Sequence, residues 1–560
     1  LTPLGFHAMI LSPGKTTIFI DPYSKQNTHY YMVYQKNNFE TNKKMTCNVT
    51  SNPPTFNYFK KHASFIDFST CFLRKYRLAI AATAEYTAFF GSQANALAAQ
   101  VITINRVNGI YETDLGVTLE MIANNIDIVF TTPYPIGVTP YTSGDAGEMV
   151  LENQANIDFV IGNANYDIGH VLDRNTVSAG LAGIAVVCNN TSKAQAATGS
   201  INPFGDPFDV DFVAHEMGHQ FNGNHTQNNN CNRNLLTAVE PGSGSTIMGY
   251  AGICPPNVQS RGDAYFNGIN LEEMGSFLDG AGDACAVKTA IPAAPIVAPP
   301  SNIIVPAGTP FALIASASGA GSASYTYDWE QQDNTPSLQP PVPNNTVGPN
   351  FRSFTPTLDN TRYLPNLASL ASNGPYTWEV LPAVSRTMKF RISVRANTGG
   401  GSCNAYQDMT VSTDAVAGPF KLTYPIDANI QWSSGTPQII TWDVANTDAA
   451  PISAATVNIF LSTDGGVTYP ISLATGVENN GARQITVPAL NTTTARVMVR
   501  SANNTFFTIS NNNFEITTSA SPVITPTLIS SARNPLKTND AFIYYSNVGN
   551  TTTADSFVVN

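Results

Sequence analysis

Charge is scarce in this chain. Lys and Arg number 28 and Asp and Glu 39 among 560 residues, 12% together, with a net charge of −11. No basic run of the kind that neutralises phosphates is present, which excludes nucleic acid from the expected partners. Long apolar runs are missing too. Nothing approaches the roughly 18 residues that a membrane-spanning helix needs. The seven cysteines include no CxxC pair, which argues against a zinc ribbon or a thioredoxin-type centre. Dispersed cysteines in a low-charge chain rich in Asn, Ser, Thr and Gly suit disulfides in an oxidising compartment, and an odd count leaves at least one thiol over. No signal peptide is visible ahead of Leu1, so a leader removed or lying outside this sequence is expected of an exported protein. What is abundant is ordinary core material, 42% hydrophobic and 10% aromatic. At this length it implies roughly three to four domains.

Residues 1–72 are expected to be β-rich. "HAMIL", "KTTIFIDPY" and "HYYMVYQ" are β-branched or aromatic runs broken by Pro-Gly and Asp-Pro turns. Within the expected 73–287 domain, strand and helix alternate up to about residue 187. "RKYRLAIAATAEYT" reads as a buried strand, and "SQANALAAQVITINRVN" places Ala94, Leu97, Ala98, Val101 and Ile104 at helical spacing. "DLGVTLEM" reads as a half-buried strand, and "GEMVLENQANIDFVIG" as a helix passing into a strand. The alternation predicts an α/β layer fold. A Pro/Ala-rich connector after Cys285 leads into two series of short strands, 288–416 and 417–518, each with Trp in an early strand. These predict all-β sandwiches of immunoglobulin or fibronectin type. Residues 519–560 begin a further β segment and stop short.

The chemistry concentrates in "AHEMGHQFNGNHTQ", residues 214–227, which holds three of the seven histidines. His215 and His219 lie at i and i+4, so on a helix they face the same way. Two imidazoles one turn apart fit zinc, and Glu216 lies beside the first, where its carboxylate can reach a water on the metal. The helix must then end for a third ligand to come round. Gly223 is expected to supply the positive φ that ends it, and the reversal brings His225 in. Three histidines leave a fourth position open, the mark of a catalytic rather than a structural site. A chance HExxH occurs in roughly one chain in a hundred of this kind; the added glycine and third histidine make coincidence far rarer.

The full pattern HExxHxxGxxH resembles the metzincin clan of zinc endopeptidases. The clan's second signature, a methionine turn beneath the metal, is matched by Met248 in "SGSTIMGYAGIC". Tyr250 stands where some branches place a tyrosine that reaches the zinc or the transition-state oxyanion. "YDIGHVLDRNTVSAGLAGIAVVC", residues 166–188, is similar to the rim strand of the adamalysin (reprolysin) branch, which ends in a cysteine before the zinc helix. The resemblance spans about residues 72–287. It implies a twisted mixed sheet with long helices, one catalytic Zn2+, and Glu216 as general base toward a zinc-activated water. It implies that Gly180, Leu181, Ala182, Gly183, Ile184 and Ala185 bind substrate backbone at a strand edge. It also implies a long disulfide between Cys188 and Cys285. Cys231 and Cys254, which flank the Met-turn segment, are candidates for a second. The branch usually follows the third histidine with Asp, whereas Thr226 stands here. That departure favours a bacterial relative.

Secreted metzincins are commonly made with an inhibitory pro-segment, the role expected of residues 1–72. "KKMTCNVT" loosely resembles the cysteine-switch motif, with an extra residue between Met45 and Cys47. Cys47 is then the latency thiol; the alternative is a Cys47–Cys71 disulfide, which leaves Cys403 as the odd thiol. Ca2+ is a plausible second ion, its ligands unassigned among loop Asp, Asn and Glu240. "RGD" at 261–263 raises integrin adhesion, a common chance tripeptide. The expected protein is a secreted, extracellular, monomeric bacterial endopeptidase acting on proteins or peptides. Its rivals are a surface adhesin carrying a degenerate metalloprotease fold, and a metallohydrolase of the amidase kind.

Overall fold

The computed structural model describes residues 2–24, 27–38, 46–47, 49, 71–176, 179–374, 376–502, 505–518, 526–527, 541–545 and 556–559. Lys43, Lys44, Met45, Asn48 and Thr50 of the cysteine-switch stretch, and Val177 and Ser178 of the rim stretch, lie outside them. The chain forms two compact units. The first comprises Leu1–Ser369, Gly374–Pro419 and Asn504–Phe506; the second comprises Leu370–Asn373, Phe420–Asn503 and Phe507–Asn560.

In the first unit, β1 (Ala8–Ile10), β2 (Ile18–Ser24) and β3 (Asn27–Gln35) form an antiparallel meander. The next described strand, β4 (Thr46–Cys47), joins a larger sheet. That sheet contains β5 (Phe72–Ala82), β6 (Val117–Met121), β7 (Ile168–Asp173), β8 (Ala179–Ala182), β9 (Ala196–Gly199) and β10 (Val287–Ala290), in the order β10-β5-β7-β9-β8-β4, with β6 also on β5. Pairing is parallel for β5 with β6 and β7 and for β7 with β9, and antiparallel for β8 with β9. The sheet is therefore mixed.

Two helical layers cover this sheet because the side chains of β5 alternate. Tyr76, Leu78 and Ile80 face the core built with α2 (Gln93–Leu115) and the histidine helix, whereas Ala79 and Ala81 face the core built with α3 (Ala146–Val160). Before α2, the short α1 (Ala84–Phe90) starts at Thr83, whose hydroxyl accepts from Tyr86 N, so the strand read through "AATAEYT" stops at Ala82. A second reading also changes. "IDFV" continues α3 instead of opening a strand: Met149, Val150, Asn153 and Ile157 are buried at helical spacing while Phe159 is exposed. Packing at a 3.6-residue period overrides the local β preference of the run.

The first β-sandwich belongs to this same unit. A four-stranded sheet runs in the order Ile303–Pro306, Asn404–Asp414, Arg386–Arg395, Thr326–Gln331, with Phe311–Ile314 and Thr361–Leu364 as a separate pair. It is fastened to the α/β domain by charge. Arg395 Nε donates to Asp114 at 2.7 Å, both buried, and Glu330 accepts from Asn267 Nδ2 at 2.7 Å and from the Gly268 amide at the start of α5 (Gly268–Leu278). A Cys71–Cys403 disulfide adds a covalent tie. In the second unit a three-stranded sheet (Lys421–Tyr424, Pro437–Asp443, Ala482–Thr486) and a six-stranded sheet centred on Thr492–Ser501 enclose Trp432 and Trp442. Pro526–Thr527, Ala541–Tyr545 and Ser556–Val559 pair as a further sheet.

Candidate active site

The histidine helix begins as a wide π-turn over Pro207–Ala214 and tightens into α4 (His215–Gln220). Val213, Met217 and Phe221 are fully buried on its packed face, as their spacing predicts. Its end corrects the sequence reading. The left-handed residue is Asn222, at φ 77°, and Gly223 is not among the positive-φ residues. Gly223 is needed for a different reason: a Cβ there would lie 2.9 Å from Gly218 O. Its amide donates to that same carbonyl at 2.8 Å, closing the helix.

The three imidazoles converge. Nδ1 of His215 lies 2.7 Å from Ile247 O, Nδ1 of His219 lies 2.7 Å from Gly223 O, and Nδ1 of His225 lies 3.0 Å from Asn232 O. A carbonyl only accepts, so each Nδ1 carries the proton and each Nε2 presents a bare lone pair. His219 Nε2 and His225 Nε2 face each other at 3.1 Å, and His215 Nε2 is buried with no hydrogen-bond partner. Such an arrangement repels itself unless a cation lies between the nitrogens. One ligand atom from each of Cys47, His215, His219 and His225 falls within 4.8 Å of all the others. The donor set therefore fits a tetrahedral zinc. Burial pushes the His215 imidazole down to about 4 and holds those of His219 and His225 well below the usual range, the neutral form that metal ligation requires.

Glu216 is fully buried, and neither carboxylate oxygen takes an N–H or O–H donor. Burial pushes its carboxyl up to about 8, partly opposed by the Cys47 thiol beside it. Gly180 of β8 makes room for it: a Cβ there would lie 2.2 Å from Glu216 Oε1. Met248 lies beneath the helix, and a Cβ on Gly218 would meet its sulfur at 2.5 Å. Tyr250 packs with its ring centroid 4.6 Å from that of His225, and its hydroxyl donates to Cys47 O at 3.1 Å.

The rim strand is shorter than expected. β8 covers Ala179–Ala182, and Thr46 and Cys47 pair in parallel with Ala179 and Gly180. Beyond Ala182 the chain turns inward. The amide of Gly183 donates to Gln195 O and that of Ala185 to His219 O, so Gly183, Ile184 and Ala185 leave the edge, while Gly180, Leu181 and Ala182 remain on it. The cysteines pair as Cys188–Cys285 and Cys231–Cys254. The Cys47–Cys71 alternative is overturned: Cys71 bonds Cys403, and Cys47 is the free, buried thiol, with Sγ 3.5 Å from His219 Nε2. The RGD tripeptide is no adhesion loop, because Arg261 is buried against Asp206.

Glu240 was read from the sequence only as one loop acid among several. It is a buried anchor saturated with donors. It accepts from Thr226 Oγ1 at 2.6 Å, Ser245 N at 2.9 Å and Thr246 Oγ1 at 2.5 Å, and so ties the residue after the third histidine to the start of the methionine turn. The signal available in the sequence was Thr226 itself, a hydroxyl donor that needs an acceptor. Glu240→Ala strands these buried donors and is expected to cost about 3 kcal/mol or more. Urea unfolding measures this; an unchanged midpoint would refute the anchor role.

Compared with curated proteins, the chain has no match. Among solved structures, fibronectin(III)-like modules of Clostridium thermocellum CbhA match at 13% identity over 40% of this chain and 94% of that one, with a TM-score of 0.14. A chimeric titin Z1Z2 tandem matches at 9% over 40% and 100%, with a TM-score of 0.15. At these scores the likeness adds nothing to the sheet topology described above. The family model for reprolysin-like metallo-peptidases of family M12B matches residues 73–275. That interval holds the whole histidine helix, Glu216, Met248 and the rim strand, and residues 73–275 belong to the reprolysin-like metallopeptidases of family M12B.

Proposed function

We propose that this chain is a secreted zinc endopeptidase that cuts peptide bonds within proteins, and that it is held latent by its own first segment. One observation carries the reading. Three bare imidazole nitrogens converge beside a buried carboxylate that no N–H or O–H donor engages. A structural metal site has no use for that carboxylate. His215, His219 and His225 would hold zinc, which supplies Lewis-acid polarisation of a carbonyl and acidifies water.

The chain's own residues do the rest. Glu216 takes the proton from the attacking water on a carboxylate oxygen and returns it to the leaving amine nitrogen. The edge of β8 on which Thr46 and Cys47 lie would bind extended peptide through main-chain groups, which accept any sequence. The Tyr250 hydroxyl, which already donates to a peptide carbonyl in the cleft, donates to the substrate carbonyl.

The same geometry supports the latency. Thr46 and Cys47 take the place of a substrate strand on β8, and the Cys47 thiol joins the imidazoles at the fourth position. The segment is also anchored at points outside the cleft. Lys36 Nζ lies 2.9 Å from both Asp206 and Asp211, buried, and Arg106 pairs with Asp21 at 2.5 Å. Three disulfides support an extracellular setting.

After removal of the pro-segment, incubation with a denatured protein is expected to give internal cuts that a zinc chelator abolishes and added zinc restores. Mass mapping of the fragments reads this directly. Release of ammonia without internal cuts would instead favour the amidase.

A further inference from the structure

We propose that Asn232 is a substrate-binding residue, donating its side-chain amide to a peptide carbonyl beside the scissile bond as partner of the Tyr250 hydroxyl. This rests on the endopeptidase reading above. Asn232 Nδ2 lies 2.5 Å from Val49 O, 3.4 Å from Cys47 O and 3.1 Å from Tyr250 Oη. Tyr250 Oη in turn donates to Cys47 O at 3.1 Å. Two side chains thus grip main-chain carbonyls of the peptide lying against the histidines. Main-chain carbonyls carry no sequence information. Any extended peptide that replaces Cys47 and Val49 in the cleft offers the same acceptors. Once the pro-segment leaves, both donors face the cleft without these partners.

The position of Asn232 is fixed independently of the pro-segment. Cys231, its neighbour, is bonded to Cys254. Its own carbonyl accepts from His225 Nδ1 at 3.0 Å. Its φ of 50° is left-handed, a conformation that Asn adopts more readily than most residues. One residue therefore holds a metal-ligating imidazole with its backbone and aims an amide at the peptide with its side chain. The amide also donates into the Tyr250 oxygen, which strengthens the hydroxyl as a donor.

The test uses the full chain after cleavage of the pro-segment. Asn232→Gly deletes the amide while keeping the left-handed backbone and the carbonyl that meets His225. Asn232→Asp keeps the shape but has no donor. Hydrolysis of a quenched fluorescent peptide is compared with that of analogues in which one carbonyl flanking the scissile bond is replaced by methylene. For both variants kcat/KM is expected to fall by on the order of tenfold to a hundredfold with zinc content unchanged. One analogue should lose a similar factor with the wild type and nothing further with the variants. An active wild type with undiminished variants, or equal carbonyl dependence in all three, overturns the assignment. So does loss of zinc from both variants, which would reduce Asn232 to a support for His225. A wild type that cuts no peptide overturns the endopeptidase reading, and this inference with it.

Discussion

Glu216→Ala is expected to lower peptide hydrolysis by on the order of 10²–10⁴-fold while zinc content stays the same. The carboxylate is fully buried, next in sequence to one ligand and not a member of the ligand set. It has no N–H or O–H donor to lose, and its one hydrogen-bonding neighbour is the weak Cys47 thiol. A buried, poorly partnered acid is a burden on the fold, because desolvation penalises its charge. The variant should therefore unfold at the same temperature as the wild type or higher. Loss of turnover with gain of stability is the signature of a group kept for chemistry. Steady-state kinetics, zinc analysis and thermal unfolding of the same preparation read all three quantities. Survival of hydrolysis would remove Glu216 from the reaction and overturn the proposed mechanism.

Cys47→Ala is expected to raise the activity of the uncleaved chain at least about tenfold, the effect of losing one contact worth ~1.4 kcal/mol. The thiol is the only described side chain other than the three histidines in the ligand cluster. Burial and the Glu216 carboxylate push that thiol up, a direction that a cation held by the imidazoles would reverse. Full release is not expected, since Lys36 keeps its buried ion pairs and Asp21 its half-buried one with the α/β domain in the variant. Activity should therefore rise without dissociation of the segment. An uncleaved variant as silent as the wild type would assign latency to the strand pairing at Ala179 and Gly180 instead.

These outcomes depend on residues of unequal legibility in the sequence. His215, His219 and Glu216 could be read from spacing alone, because a helix converts i and i+4 into one face. Met248 and Tyr250 followed from the resemblance. The C-cap was misassigned because Gly and Asn both tolerate left-handed backbone, and only the fold decides that Asn222 adopts it while Gly223 yields space to Gly218. The Cys71–Cys403 pairing spans 332 residues, and no local pattern reports such a closure. Glu240, Lys36 and Asn232 were missed for a related reason. Each acts through a partner distant in the chain or in an irregular loop, where periodicity carries no signal. The inward turn after Ala182 was hidden because small apolar residues suit an edge strand and a buried turn equally well.

Under the latency proposed above, the sulfur bridge at Cys71 also sorts the ways this molecule would be switched on. Cys71 stands one residue before β5 and is bonded to the sandwich at Cys403. A backbone cut on its N-terminal side frees everything before it and leaves the new terminus riveted to the sandwich. A cut on its C-terminal side frees nothing, because the severed piece still hangs by sulfur. An inhibitor tethered this way stays at high effective concentration and rebinds as fast as it leaves. Placement of the nick across a single cysteine thus separates irreversible proteolytic activation from a state in which a reductant must finish what the protease began.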